Sequence, residues 1–165
     1  MAKPETRGDS GGDELETAGA LTELMREIDD GFFCRSEREV ADAYWADYLG
    51  PELERLFTPD VAFHSHFEGP SGLSLYNGYE GLRTWASDVA ETFTRFKRHN
   101  DDWESPRDQT LIVHQRIEAT GRDSGAEIEL RAWVVWWLED GKVAELRSFA
   151  ERAEAESAAA SSRPG

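Results

Sequence analysis

His64, Ser65 and His66 form the segment whose residue types and spacing point most directly to chemistry. In an extended chain alternate side chains share a face, so the two imidazoles stand together, about 6–7 Å apart. At that spacing a histidine pair can hold a metal ion, and either imidazole can act as acid or base near neutral pH. A metal would need a further ligand. Glu68 follows too soon to supply it, which leaves His99, His114 or an acid brought in by folding. The ligand set is incomplete and no metal is expected, so His64 and His66 stand as catalytic candidates for proton transfer. Tyr44 joins them, because a buried phenol needs a hydrogen-bond partner that a ligand can provide, and Tyr48 lies one helical turn further on. The single cysteine, Cys34, has no histidine motif beside it to activate a thiolate. No glycine-rich phosphate loop and no serine elbow occurs, and no cofactor is expected.

Hydrophobic spacing outlines the elements that must position these residues. Leu21, Leu24, Met25 and Ile28, then Val40, Ala43, Tyr44 and Tyr48, recur at helical intervals within 15–48. Gly31 and Ser36 divide that stretch into two helices, and Ser36 with Glu39 makes a capping box for the second. Pro51 starts a short helix at 52–57, Thr58-Pro59-Asp60 reads as a turn, and 61–67 alternates as a strand. The loop from Gly69 to Gly72 precedes an amphipathic helix over 79–96, marked by Leu82, Trp85, Ala86, Val89, Phe93 and Phe96. Arg83 and Asp88 on that helix read as solvent-facing. Strands follow at 98–104, 109–120 and 126–138. A hairpin turn centred on Asp140-Gly141, a strand at 143–149 and a short helix at 151–157 complete the pattern. Helices segregated from a run of strands predict an α+β domain with the helices on one face. That domain is expected over 14–155, between a disordered N-terminal tail (1–13) and a flexible C-terminal tail (156–165).

Alternation also assigns strand faces. Ile128, Leu130, Ala132, Val134, Trp136 and Leu138 form a wholly apolar set and are expected to face inward, as are Leu111, Val113, Gln115 and Ile117. Glu127, Glu129, Arg131, Trp133, Val135 and Trp137 then face outward, where the tryptophans suit contact with a second copy of the chain.

Composition limits the function classes. The chain has 165 residues, 39% hydrophobic and 32% charged, which is enough for one packed domain and too apolar for a wholly disordered chain. Thirty-four acidic residues against eighteen basic ones give a formal net charge of −16. Phosphates require clustered Lys and Arg, so nucleic acid and anionic membrane surfaces are disfavoured as partners. The longest uninterrupted apolar run, Ala132 to Leu138, is too short to cross a bilayer. No secretory signal is visible at the N-terminus, and one cysteine cannot build a disulfide framework. A cytoplasmic location is expected.

Four segments resemble the nuclear transport factor 2-like superfamily, and within it the SnoaL-like branch of small ligand-binding proteins. They are Leu56-Phe-Thr-Pro-Asp-Val61, Tyr76-Asn-Gly-Tyr-Glu-Gly-Leu82, Gly121-Arg-Asp-Ser-Gly125, and Trp136-Trp-Leu-Glu-Asp-Gly-Lys-Val143 with Phe149-Ala-Glu-Arg-Ala153. The resemblance implies a cone-shaped, cystatin-like α+β fold, in which a curved mixed or antiparallel sheet wraps over three or so N-terminal helices. It also implies an apolar cavity and homodimers joined through the sheet face. A small apolar organic ligand would then meet Tyr44, Tyr48, Phe63, Ser65, Trp85, Val113, Leu130 and Trp136. Any catalysis would be cofactor-free proton transfer, as in a cyclase, isomerase or dehydratase, and the alternative is a non-catalytic dimeric binding or interaction module. Ketosteroid isomerases of this superfamily use a carboxylate base and an oxyanion hole of tyrosine plus a protonated acid. The matching positions here are Ser65 and Leu130, with the tyrosine position near Ala43, one residue from Tyr44. Two of three roles are missing, so steroid isomerisation is not expected. The same alignment turns Ser65 inward and both histidines outward.

Overall fold

A computed structural model describes residues 50–66, 69–161 and 163, together with Glu16, Gly19, Ala20, Thr22 and Glu23. Tyr44, Tyr48, Cys34, the N-terminal tail and most of the helical stretch expected over 15–48 lie outside the described residues. The described elements are α1 (Gly50–Leu56), β1 (Phe57–His64), β2 (Leu75–Asn77), α2 (Gly78–Thr92) and β3 (Phe93–Arg107). After them come β4 (Thr110–Gly121), β5 (Glu127–Glu139), β6 (Lys142–Phe149) and α3 (Arg152–Ala159). The strands form one curved, unclosed sheet in the order β2-β1-β6-β5-β4-β3. β1 runs parallel to β6, and every other pairing is antiparallel.

Several boundaries differ from the sequence expectation, each for a local reason. β1 starts at Phe57, so Thr58-Pro59-Asp60 is strand rather than turn. Its register against β6 shifts between Phe57 and Ala62, an irregularity that accommodates a proline with no N–H to donate. β2 has only three residues, too few for alternation to reveal. α2 ends at Thr92 because Phe93 is extended, with φ −125° and ψ 143°. Phe93 and Phe96 mimic helical spacing, yet a register shift between Phe93 and Arg95 brings their rings within 5.6 Å of each other in β3. At the start of α2, a Cβ on Gly81 would lie 2.7 Å from the backbone carbon of Tyr76. Only glycine lets the helix lie so close to β2.

Both sheet faces are covered, which corrects the expectation of helices on one face. On the inner face α2 supplies Leu82, Ala86 and Val89 to a core with Val61, Phe96, Leu111, Val113, Val134, Trp136, Val143 and Leu146. On the outer face α3 lays Ala155 and Ala159 over Ile112, Val135 and Trp137, with Trp133 and Phe149 packed at the rim. Two alanines four residues apart form a flat stripe that can approach a sheet closely. This packing carries α3 to Ala159, past the expected end at 157. Trp137 is thereby sealed by the chain's own helix, and its indole N–H reaches the carbonyl of Ser161 at 3.5 Å.

The inward row of β5 is only half inward. Val134, Trp136 and Leu138 are buried, whereas Ile128 and Leu130 are 36% and 43% exposed. Residues 127–132 extend past the end of β6, which pairs only from Trp133 onward, and within this stretch only Ala132 is buried.

Candidate functional site

The inner face gathers an aromatic cluster from four elements. Phe63 of β1 stacks on Tyr76 of β2 at 6.1 Å and meets Trp85 of α2 edge-on at 5.5 Å. Trp85 in turn meets Phe96 of β3 at 6.1 Å. The Arg98 guanidinium lies 5.0 Å from the centre of the Trp85 ring, a cation–π contact. Val113 and Trp136 are fully buried in the same core. Beside them the buried amide of Gln115 donates to Asn100 Oδ1 at 3.0 Å, and Asn100 donates to Thr22 Oγ1 at 3.0 Å.

Two donors in this region have no acceptor among the described residues. The indole N–H groups of Trp85 and Trp136 are buried without a hydrogen-bond partner. Each such orphan costs about 1–3 kcal/mol, and a bound oxygen acceptor would offset that cost.

The two histidines separate, contrary to the shared face their spacing suggested. His64 is on the outer face, with Nε2 3.2 Å from Glu145 Oε1. Glu145 is 3% exposed and also accepts from Arg147 Nε at 2.8 Å and Arg163 Nε at 3.4 Å. His66 lies beyond the end of β1, and its Nδ1 sits 2.6 Å from Ser148 Oγ. Ser148 pairs in register with Val134, and Leu146, two residues back on the same face, pairs with Trp136 and Phe63. His66 therefore reaches toward the inner face while His64 does not. The reason is that β1 stops at His64, so strand alternation no longer governs the residues after it.

Burial pushes the pKa of both imidazoles below the ordinary 6.5, and Arg147 adds to the effect at His64. Between the depressed native value and that ordinary 6.5, the unfolded chain binds more protons than the native one. Stability should therefore be fully present above the unfolded value and fall as pH drops through this window. Urea midpoints measured from about pH 8 to about pH 5 should be flat at the upper end and decline below about 6.5. A His64→Gln/His66→Gln variant should decline less steeply, and an unchanged slope would refute this account.

Asp88 corrects another expectation. It is 4% exposed, not solvent-facing, and its carboxylate accepts from the Ser71 N–H at 3.2 Å, the Ser71 hydroxyl and the Tyr76 hydroxyl at 2.8 Å. The carboxylate ties the loop before β2 to α2, and with these bonds made it has little capacity left for an incoming substrate.

Of the proposed ligand contacts, Phe63, Trp85, Val113 and Trp136 come together on the inner face. Ser65 follows β1, and its N–H donates to the Ser74 carbonyl. Leu130 shares the side of Ile117 by register but stands in the exposed part of β5. Sequence reasoning missed Asn100, Arg98, Ser148 and Tyr76. The one available signal was Gln115, a polar residue in an apolar alternating row. Among the described residues no three His, Cys, Asp or Glu side chains gather in metal-binding geometry, and no helix is long and apolar enough to cross a membrane. On the outer face a groove of about 530 Å³ opens between α3 and β3, with Pro106, Ile112 and Ala159 beside Glu104, Arg107 and Glu156.

Comparison with known proteins agrees with this architecture. No curated protein matches the sequence. A putative SnoaL-like polyketide cyclase from Jannaschia sp. CCS1 superposes with a TM-score of 0.55 at 19% identity, covering 97% of this chain and 99% of that one. An NTF2-like protein from Anabaena variabilis gives 0.61 at 18% identity, covering 90% and 96%. The epoxide hydrolase/cyclase-like enzyme SalBIII, of pyran ring formation in the polyether salinomycin, gives 0.57 at 16%, covering 86% and 95%. At these identities the likeness carries the fold alone. The model of the SnoaL-like domain matches residues 38–146, more than half of the chain, and the protein therefore belongs to the SnoaL-like family of the NTF2-like superfamily.

Proposed function

We propose that the inner face of the sheet holds a small, largely apolar organic molecule, and that His66 moves a proton on it without a cofactor, in cyclase-, isomerase- or dehydratase-type chemistry. The observation that carries this reading is the His66–Ser148 hydrogen bond, which anchors an exposed imidazole to a β6 residue that pairs with Val134 of the inner face. Partial desolvation lowers its pKa from the ordinary 6.5, which favours the neutral form that can accept a proton. The unpartnered indoles of Trp85 and Trp136 favour a ligand that carries oxygen acceptors.

Thermal-shift and tryptophan-fluorescence titrations with planar aromatic ketones and terpenoid ketones test the binding. At least one compound should stabilise the protein. Trp136→Phe, which keeps an aromatic ring and removes the donor, should weaken that binding roughly 5–10-fold. His66→Gln should still bind, yet lose the exchange of ligand α-protons into D2O. No stabilisation by any compound would overturn the proposal. Binding without exchange in the native protein would favour the second reading, a binding module without catalysis, which the tight engagement of Asp88 also supports.

A further inference from the structure

β3 turns a positive charge toward the aromatic cluster. Arg98 pairs in register with Ile117, and Phe96, two residues earlier, pairs with Ala119. Phe96, Ile117 and Ala119 all belong to the inner core, so alternation puts Arg98 on the inner face with them. Its guanidinium is partly buried, 5.0 Å from the centre of the Trp85 ring and 5.8 Å from that of Phe96. Arginines on the outer face of the same two strands are placed differently. Arg95 and Arg116 reach Glu118, and Arg116 also reaches Asp101. A guanidinium stays charged throughout the range in which proteins fold, and it is more weakly hydrated than an ammonium, so it suits recognition in apolar surroundings.

The indole N–H of Trp85 is the second group. It is buried with no hydrogen-bond partner among the described residues. Because Nε1 belongs to the ring system that Arg98 covers, the two donors are near neighbours. A guanidinium and an indole offer donors and no acceptor, so what suits both is an acceptor from outside the pair. Trp85 also meets Phe63 of β1 at 5.5 Å and Phe96 of β3 at 6.1 Å. Curvature of the sheet thus brings two strands that are far apart in the strand order into contact with one ring. Arg98 therefore stands within the same aromatic cluster as Phe63, beside the proposed ligand contacts.

We propose, on the reading of the inner face as a small-molecule site, that the molecule held there is a carboxylic acid, an apolar body whose carboxylate is bound by Arg98 and the Trp85 indole N–H together. A carboxylate presents two oxygens in one plane, which matches the fork of guanidinium donors and leaves a lone pair for the indole. The guanidinium has five N–H donors, so its other contacts leave capacity for this one. One guanidinium beside one neutral donor balances a single negative charge, which favours a carboxylate over a phosphate dianion. Trp85 and Phe96 keep water from the guanidinium, and a charged hydrogen bond is stronger in such surroundings than in water. The chain as a whole, at net charge −16, repels an acid at long range, and a local cation is what reverses the sign at the site.

Isothermal titration calorimetry of the full chain with a naphthalene carboxylate and the matching carboxamide, at neutral pH and about 0.15 M salt to screen the overall repulsion, tests the charge of the ligand. The two probes share their size and a carbonyl oxygen and differ in charge. The carboxylate should bind about tenfold more tightly, as a charge-assisted hydrogen bond does over a neutral one. Arg98→Met keeps an unbranched apolar side chain over Trp85 and removes the charge, so the preference should fall to within about twofold while the carboxamide binds as before. The ratio of the two affinities within one variant does not change with a general loss of stability, and the native protein alone can overturn the proposal. Equal affinities in the native protein would do so, as would a preference that survives Arg98→Met, and the inner face would then be a site for neutral molecules. Binding of aromatic or terpenoid ketones with neither naphthalene probe bound would overturn it in the same way. Absence of binding by the ketones and by both probes would overturn the reading of the inner face itself, and the acid with it.

Discussion

Trp136→Ala should lower unfolding free energy by about 3–5 kcal/mol, the largest loss expected from any single truncation of this core. Trp136 is fully buried and is the largest of the side chains with no solvent exposure. It lies between Leu111 of β4 and Leu146 of β6 in register, with Val134 and Leu138 along its own strand, so four strand positions lose contacts together. The orphaned indole N–H reduces the loss slightly, since removing it also removes an unsatisfied donor. Against a total stability of roughly 5–15 kcal/mol, the variant would sit near the folding threshold. Chemical denaturation should show a lower midpoint with an unchanged slope. The melting temperature should drop by roughly 6–20 °C, at about 2–4 °C per kcal/mol for a chain of this size. Trp85→Ala should cost less, because Trp85 is only partly buried. A Trp136→Ala loss below that of Trp85→Ala would contradict this placement of the core.

Asp88→Ala should cost about 2–4 kcal/mol. Its carboxylate accepts from both groups of Ser71 and from the Tyr76 hydroxyl, and charge-assisted hydrogen bonds contribute about 1.5–3 kcal/mol each. Part of that gain is offset in the native protein by burying a carboxylate with no cation among its hydrogen-bond partners. The Tyr76 hydroxyl retains the Leu73 carbonyl at 3.0 Å, so the damage should concentrate on Ser71 and the loop before β2. Hydrogen exchange should show the Ser71 and Gly72 amides losing protection, while the amides of β4 and β5 keep theirs. Asp88→Asn should fall between the two, because one amide oxygen cannot accept from Ser71 and Tyr76 as two carboxylate oxygens do. Equal protection of the loop in Asp88→Ala and the native protein would show that the carboxylate does not hold it.

Local pattern was enough for much of the fold. Ile112 outward and Val113 inward, the Asp140-Gly141 turn, and the apolar row from Val134 to Leu138 follow from alternation and turn chemistry. Phe93 and Phe96 misled the same reasoning, because a bulge in a strand can place residues three apart on one face, as a helix does. The candidate site was less legible. Alternation brought Phe63, Val113 and Trp136 inward, but it gave His64 and His66 the same face. That inference holds only while a strand continues, and β1 ends between them.

The sequence by itself determined the strand faces, the acidic surface and the family, because each is a property of nearby residues or of order along the chain. Only the tertiary structure decided that Asp88 is buried under Ser71 and Tyr76, that α3 seals Trp137, and that β6 pairs with β5 only from Trp133 onward. Each of these depends on where one element ends relative to a neighbour distant in sequence, and no periodicity within a single segment encodes that.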